Sequence, residues 1–194
     1  MKLSIGREQL LKPLQQVAGV VERKHTMPIL ANVLLRVSDD EISFTGTDLE
    51  VELVATQKLS ADQLVQTGEV TIPCRKLLDI CKSLPSSAMI ELSMDEQKLL
   101  IKSGRSRFSL ATLPAQDFPS LEEDAGAFSL NVSQRNLKRL IEKTGFAMAQ
   151  QDVRYYLTGM LFEVTANQLR AVTTDGHRLA LFDAHAEASP SEKI

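Results

Sequence analysis

The chain is short of cysteine, of metal-ligand clusters and of long apolar runs, and each shortage removes a class of function. Its two cysteines, Cys74 and Cys81, lie seven residues apart in a stretch that reads as helix. That spacing puts them on one face but about 10 Å apart along the axis, beyond the reach of a disulfide. No histidine or further cysteine stands at ligand spacing beside them, so neither zinc nor any other metal or cofactor is expected. No apolar run approaches the ~18 residues that cross a bilayer. The opening MKLSIGREQLLKP turns polar and charged within seven residues, unlike a secretory signal, and the expected location is the cytoplasm. Catalytic patterns are missing as well: there is no nucleophile elbow and no phosphate-cradling glycine run. An enzyme would need Asp175 and His177 as base and orienter, with Ser133 or Ser103 as nucleophile. The SGRSR segment (103–107) is short and falls in a predicted hairpin, so the chain reads as non-catalytic.

What is present is a hydrophobic content of 43% in 194 residues, enough for a packed core in one large domain, or in one domain and part of another. The net charge of −3 conceals a division. Three stretches read as helices, at 7–17, 74–84 and 133–143, and hold nine basic residues against three acidic ones, a net of +6. The strands and loops carry the remaining −9. Such segregation builds a cationic surface on an acidic protein and points to a polyanionic partner, although solvated helix faces give the same pattern.

The order of elements repeats. KLSI reads as a strand and 7–17 as an amphipathic helix that Pro13 should kink or shorten; the loop VERKHTMP and three strands (ILANVLLRV, EISFTGT, VELVATQKL) follow. EVTIP, the helix CRKLLDICKSL and the strands AMIELSM, KLLIKSG and RFSLATL repeat the order, and 113–126 reads as a linker. FSLNV, SQRNLKRLIEK with Ser133 as N-cap, YLTGMLFEVT, QLRAVTT and HRLALFDA give it a third time. An offset of 127 aligns Leu3 with Leu130, Ile5 with Val132, Leu14 with Ile141, Thr47 with Thr174 and Asp48 with Asp175. A looser offset of 67 aligns Ile5 with Ile72 and Leu10 with Leu77. The expected class is therefore α+β, with three strand-helix-three-strand units at about 1–67, 68–127 and 128–194. Two units make a complete domain (1–127), and 128–194 is expected to be the first half of a second one, in a fragment of a longer protein.

The stretches PILANVLLRV, GTDLEVEL, TIPCRKLLDICKSLP, SGRSRFSLATLPAQDFP, QQDVRYYLTGMLFE and TTDGHRLAL together resemble the β sliding clamp family, the processivity subunit of bacterial DNA polymerase III. The resemblance runs from Met1 to about Ala184 and covers roughly the N-terminal half of that family's chain. It implies the DNA clamp fold, with helices lining an inner face and antiparallel sheets outside. It also implies a ring of two subunits around double-stranded DNA, and a non-catalytic role tethering the polymerase catalytic subunit, the clamp loader and other proteins with a clamp-binding motif. This chain alone is expected not to close a ring. The other reading is a stand-alone DNA- or peptide-binding module derived from the clamp.

By the same resemblance Lys24, Arg75, Gln151, Tyr155 and Tyr156 fall where the family touches DNA. Lys24 stands where an arginine is common, which keeps the charge and loses the bidentate fork. Adjacent strand residues point to opposite faces, so one tyrosine of the pair is expected to be partly buried. Leu157, Thr174, Gly176, His177, Arg178 and Leu179 match the family's peptide-binding pocket. The turn at Thr47-Asp48-Leu49 makes the equivalent connection without glycine, so Gly176 reads as an allowance for close approach of a ligand. Lys76, Lys98, Arg105 and Arg107, with Phe108 and Leu110, match the first-domain side of the subunit interface, where the two apolar residues are expected to supply most of the association.

Overall fold

The computed structural model describes residues 1–21, 27–119, 128–165 and 167–190; Lys24 and the end of the 113–126 linker lie outside the described residues. The fold is α+β, in two compact units, Met1–Glu122 and Glu123–Ile194.

The first unit runs β1 (Lys2–Gly6), α1 (Arg7–Val17), β2 (Asn32–Val37), β3 (Glu41–Thr47), β4 (Glu52–Lys58), β5 (Leu64–Gln66), β6 (Gly68–Pro73), α2 (Cys74–Ser83), β7 (Met89–Asp95), β8 (Lys98–Ser103) and β9 (Ser106–Ala111). Alternating apolar residues give β1, β3 and β8 one buried face each, as in β1, where Leu3 and Ile5 are inside. The strands form two antiparallel sheets, in the orders β5-β1-β7-β8-β9 and β4-β3-β2-β6. Each repeat gives its first strand to the other repeat's sheet. Leu3 and Ile5 of β1 face Leu92 and Ile90 of β7, while Val70 and Ile72 of β6 face Leu35 and Val33 of β2. This reciprocal exchange, with α1 against α2, closes one core around Leu10, Leu14, Phe44, Leu77 and Cys81.

Helix α1 continues through Pro13, which is buried with Leu10, Leu14 and Val17. The proline neither ends nor shortens the helix, because tertiary burial outweighs the one lost ladder bond. Arg7 Nε donates to the carbonyl of Cys81 at 2.9 Å and ties the start of α1 to the end of α2. Both cysteines are free and buried. Burial pushes the Cys74 thiol up to about 11 and Cys81 to about 12, against the opposing charges of Arg75 and Arg7. A polar chain ties the β2–β6 pair to the segment after β9: Asn32 Nδ2 donates to Thr71 Oγ1 at 3.0 Å, and that hydroxyl donates to the Leu113 carbonyl at 2.9 Å. The backbones of Thr71 and Leu113 also exchange two hydrogen bonds of 3.2 Å.

The second unit runs β10 (Phe128–Asn131), α3 (Gln134–Thr144), β11 (Leu161–Thr165), β12 (Gln168–Thr174), β13 (Leu179–His185) and β14 (Glu187–Pro190). Ser133 caps α3, its Oγ accepting from the Asn136 amide at 3.2 Å, as its position before the helix foretells. Strands β11-β12-β13 form one sheet and β10-β14 another, over a small core of Leu140, Leu169, Ala171 and Ala186.

Four elements differ from the sequence reading. The short strands β5 and β14 are edge partners of β1 and β10, too brief to show alternation. Pro28–Ala31 is a 3-10 turn, where the proline presets φ for the first helical position. The expected strand 156–165 begins only at Leu161, and Tyr155–Thr158 forms a 3-10 turn.

Candidate nucleic-acid and peptide interface

Two segments of the second unit meet at the surface that carries the candidate residues. The first is the turn between β12 and β13. Thr174 Oγ1 accepts from the Gly176 amide at 3.0 Å and donates to the Arg178 carbonyl at 2.7 Å. Asp175 Oδ1 accepts from the amides of His177 and Arg178, each at 2.9 Å, and Oδ2 accepts from Arg178 Nε at 2.9 Å. These donors, the Arg178 amide first, hold the Asp175 carboxyl down at about 2. Its oxygens are thus spent on the turn, and the acid–base reading of Asp175 and His177 finds no geometry to support it.

The first unit builds the same turn. Thr47 Oγ1 accepts from the Leu49 amide at 3.0 Å, and Asp48 Oδ1 accepts from Glu50 and Val51 at 3.0 and 2.7 Å. The 127-residue repeat therefore holds down to individual hydrogen bonds. Leu49 sits at φ 77° and Gly176 at φ 87°. The expectation that the turn does not itself require Gly176 is corrected: the turn demands a left-handed residue at this place, and Leu49 adopts it against its own preference.

The second segment is the loop from Met148 to Thr158. Arg154 organises it. Its backbone N and Nε donate to Asp152 Oδ1 at 2.8 and 3.1 Å, and Nη2 donates to Asp152 Oδ2 at 2.8 Å. Nη2 also reaches the Asp175 carbonyl at 3.2 Å, which fastens the loop to the turn. Hydrogen bonding from Arg154 lowers the Asp152 carboxyl to about 2, and Asp152 in return raises the guanidinium. A Cβ on Gly176 would lie 3.1 Å from Arg154 Nη1, so the glycine answers to this close approach as well as to the turn. Loop and turn together border a shallow hollow of about 420 Å³, lined by Met148, Ala149, Gln150, Asp152, Arg154, Asp175, His177 and Arg178.

Both tyrosines face solvent, Tyr155 80% and Tyr156 67% exposed, in an edge-to-face pair with centroids 6.0 Å apart. The expectation that one is partly buried is corrected, since a 3-10 turn lacks the two-sided alternation of a strand. Gln151 adopts φ 56° and Val153 is 97% exposed, so this loop projects side chains outward.

Of the pocket residues named from the sequence, His177 and Arg178 line the hollow and Gly176 touches Arg154. Thr174 braces the turn, Leu179 is exposed beside it, and half-buried Leu157 donates its amide to the Arg154 carbonyl at 2.8 Å. Asp152 and Arg154 were missed; the available signal was an opposite-charge pair two residues apart beside the tyrosines.

In the first unit Arg75 is exposed on α2, one guanidinium nitrogen donating to the Val21 carbonyl at 3.3 Å. Lys76, Lys98, Arg105 and Arg107 are exposed, the last two in and beside the edge strand β9. Lys102, also missed, stands directly opposite Arg107. On its other side Lys102 faces Glu91 of β7, which sets an opposite charge beside the two like ones. Phe108 is half-buried and Leu110 is a core residue, which corrects the expectation that both offer apolar surface to a neighbour.

Comparison with known proteins agrees with this anatomy. Residues 1–122 match the family described as DNA polymerase III beta subunit, N-terminal domain, and residues 131–194 match its central domain. The chain belongs to the DNA polymerase III beta subunit family. Within this family it is 60% identical to the beta sliding clamp of Pseudomonas putida over 193 residues, which are 100% of this chain and 52% of that protein. It superimposes on the crystal structure of DNA polymerase III subunit beta from Pseudomonas aeruginosa with a TM-score of 0.90 at 55% identity, over 99% of this chain and 52% of that one. A P. aeruginosa sliding clamp solved with griselimycin bound also gives 0.90, at 57% identity, over 95% of this chain and 50% of that one. The chain thus spans about half the length of the beta-subunit relatives it matches.

Proposed function

We propose that this chain is part of a sliding clamp, a non-catalytic processivity factor that encircles duplex DNA and tethers the replicative polymerase. The observation that carries the reading is the loop fastened to the turn by Arg154: it presents Gln151, Tyr155 and Tyr156 beside His177, Arg178 and Leu179. Exposed aromatic rings stack on bases without regard to sequence, and cationic groups hold phosphate without reading it. A tether that must slide needs this combination.

In this reading Arg75, Gln151, Tyr155, Tyr156 and Lys24 face DNA, while Leu157, Thr174, Gly176, His177, Arg178 and Leu179 take a short peptide from the polymerase catalytic subunit, the clamp loader or other clamp-binding proteins. Lys76, Lys98, Arg105 and Arg107, with Phe108, meet the second subunit of a homodimer in the longer protein. Residues 1–127 serve as a complete first clamp domain and 128–194 as the first half of the next, in the cytoplasm.

The test is binding of this chain to a primer–template duplex by fluorescence anisotropy over a salt series. Weak binding that falls steeply with salt is expected, and Tyr155→Ala with Tyr156→Ala should weaken it about tenfold or more. Salt-insensitive binding, or affinity indifferent to both tyrosines, would contradict the reading. The chain by itself should not lengthen polymerase products, since it spans about half the length of the beta-subunit relatives it matches.

A further inference from the structure

The 3-10 turns Pro28–Ala31 and Tyr155–Thr158 stand 127 residues apart, at the offset of the repeat. In the first of them Pro28 presets φ at the first helical position. Tyr155 takes that place in the second and leaves φ free, and Arg154 precedes it where Met27 precedes Pro28. Asp152 supplies the constraint that proline gives the sister turn. One oxygen of its carboxylate accepts from the Arg154 amide and from Nε, and the other accepts from Nη2. The amide bond fixes the backbone as it enters the tyrosine turn, and the two side-chain bonds fix the guanidinium. The turn then closes on itself: the Leu157 amide donates to the Arg154 carbonyl, and Thr158 Oγ1 donates to the Tyr155 carbonyl at 2.6 Å. Two plainer roles for the pair fail. An arginine that served phosphate directly would keep its charge free, whereas this one is cancelled by a carboxylate two residues away. Nor does the neighbouring turn need the pair, because Thr47 and Asp48 build the same turn where the offset puts His25 and Met27 in the places of Asp152 and Arg154.

We propose that Asp152 is a positioning residue which acts through Arg154: given that Tyr155 and Tyr156 meet DNA, as proposed above, it sets the direction of both rings and ties them to the turn at 174–178. The path is continuous. Asp152 holds the guanidinium, Nη2 of the guanidinium reaches the Asp175 carbonyl at 3.2 Å, and the Asp175 carboxylate holds the amides of His177 and Arg178. A load on the rings moves the Arg154 backbone beside them and so reaches residues 177 and 178. Charge and position pull in opposite directions here. A carboxylate near a nucleic acid repels phosphate, so on charge alone its removal tightens binding. On position its removal weakens binding, because stacking needs rings that are already aimed.

The chain has no tryptophan, and its two tyrosines are Tyr155 and Tyr156, so tyrosine emission reports this loop alone. Without DNA, Asp152→Ala should lower the steady-state anisotropy of that emission. Asp152→Asn, whose side-chain oxygen can still accept from the Arg154 amide, should recover part of it. An unchanged far-UV circular dichroism spectrum shows that each variant folds. Binding of a labelled primer–template duplex then compares the same two variants, which remove the same charge and differ in position. Asp152→Asn should bind about threefold or more tighter than Asp152→Ala, and the difference should vanish once both tyrosines are alanine. Duplex should move the amide resonances of His177 and Arg178 in the unaltered chain, and should leave them in place in Arg154→Met, which carries the residue of the first repeat. Unchanged tyrosine anisotropy in Asp152→Ala overturns the proposal. So does equal affinity of the two Asp152 variants while the tyrosines still matter, and resonances that move alike in Arg154→Met remove the tie to the turn. Affinity indifferent to the tyrosines fails the DNA reading itself, and the anisotropy without DNA then still decides whether Asp152 aims the loop.

Discussion

The guanidinium of Arg154 lies against Gly176, close enough that a Cβ there would sit 3.1 Å from Nη1, while the same guanidinium grips Asp152 in the adjoining loop. One arginine thus makes a single body of the tyrosine-bearing loop and the turn beside it. Two side chains cannot share that space, so what happens at position 176 is felt at position 154.

Gly176→Ala should therefore cost about 1–2 kcal/mol from the left-handed backbone alone, and should also displace Arg154. The reciprocal change, Leu49→Gly in the sister turn at φ 77°, relieves the same strain and should leave the first unit no less stable. Denaturant unfolding of both variants checks the contrast, and equal losses would show that the turns are not equivalent.

Acid should loosen the loop and the turn before it unfolds the chain. Asp152 and Asp175 are both held at about 2 against an ordinary value of 3.8. A depressed carboxyl contributes stability above its unfolded value, and that contribution is lost as pH falls through the folded value. The amides of His177 and Arg178 should accordingly lose protection between about pH 4 and pH 2. Hydrogen exchange followed by NMR measures it, and Asp175→Asn should abolish the pH dependence.

Thr71→Val removes the hydroxyl that links buried Asn32 to the Leu113 carbonyl. Leaving the Asn32 amide without that acceptor should cost about 1–3 kcal/mol. Adding Asn32→Leu should restore part of the loss, because no buried donor then lacks a partner. A double-mutant cycle by urea unfolding gives the coupling.

Cys74 and Cys81, pushed up to about 11 and 12 by burial, hold almost no thiolate at neutral pH. Neither should react with a thiol reagent at pH 8 until the first unit unfolds. Fast labelling of either in native protein would place it at the surface.

Local pattern was enough to read the helices α1, α2 and α3, most of the strands, the Ser133 cap and the three-fold repetition, because periods of two and 3.6 residues arise from each segment's own burial. Thr47-Asp48 and Thr174-Asp175 could be paired by identity because a turn of this kind satisfies its own amides with its own side chains. Tertiary structure alone decided which strands pair across repeats, since β1 and β7 are joined by hydrogen bonds between residues far apart in sequence. It placed Leu110 in the core and both tyrosines in solvent, outcomes set by neighbours that the local sequence does not name. It also brought Arg154 against Gly176 from a different element, because a guanidinium at the end of a long side chain finds its acceptors in space and not along the chain.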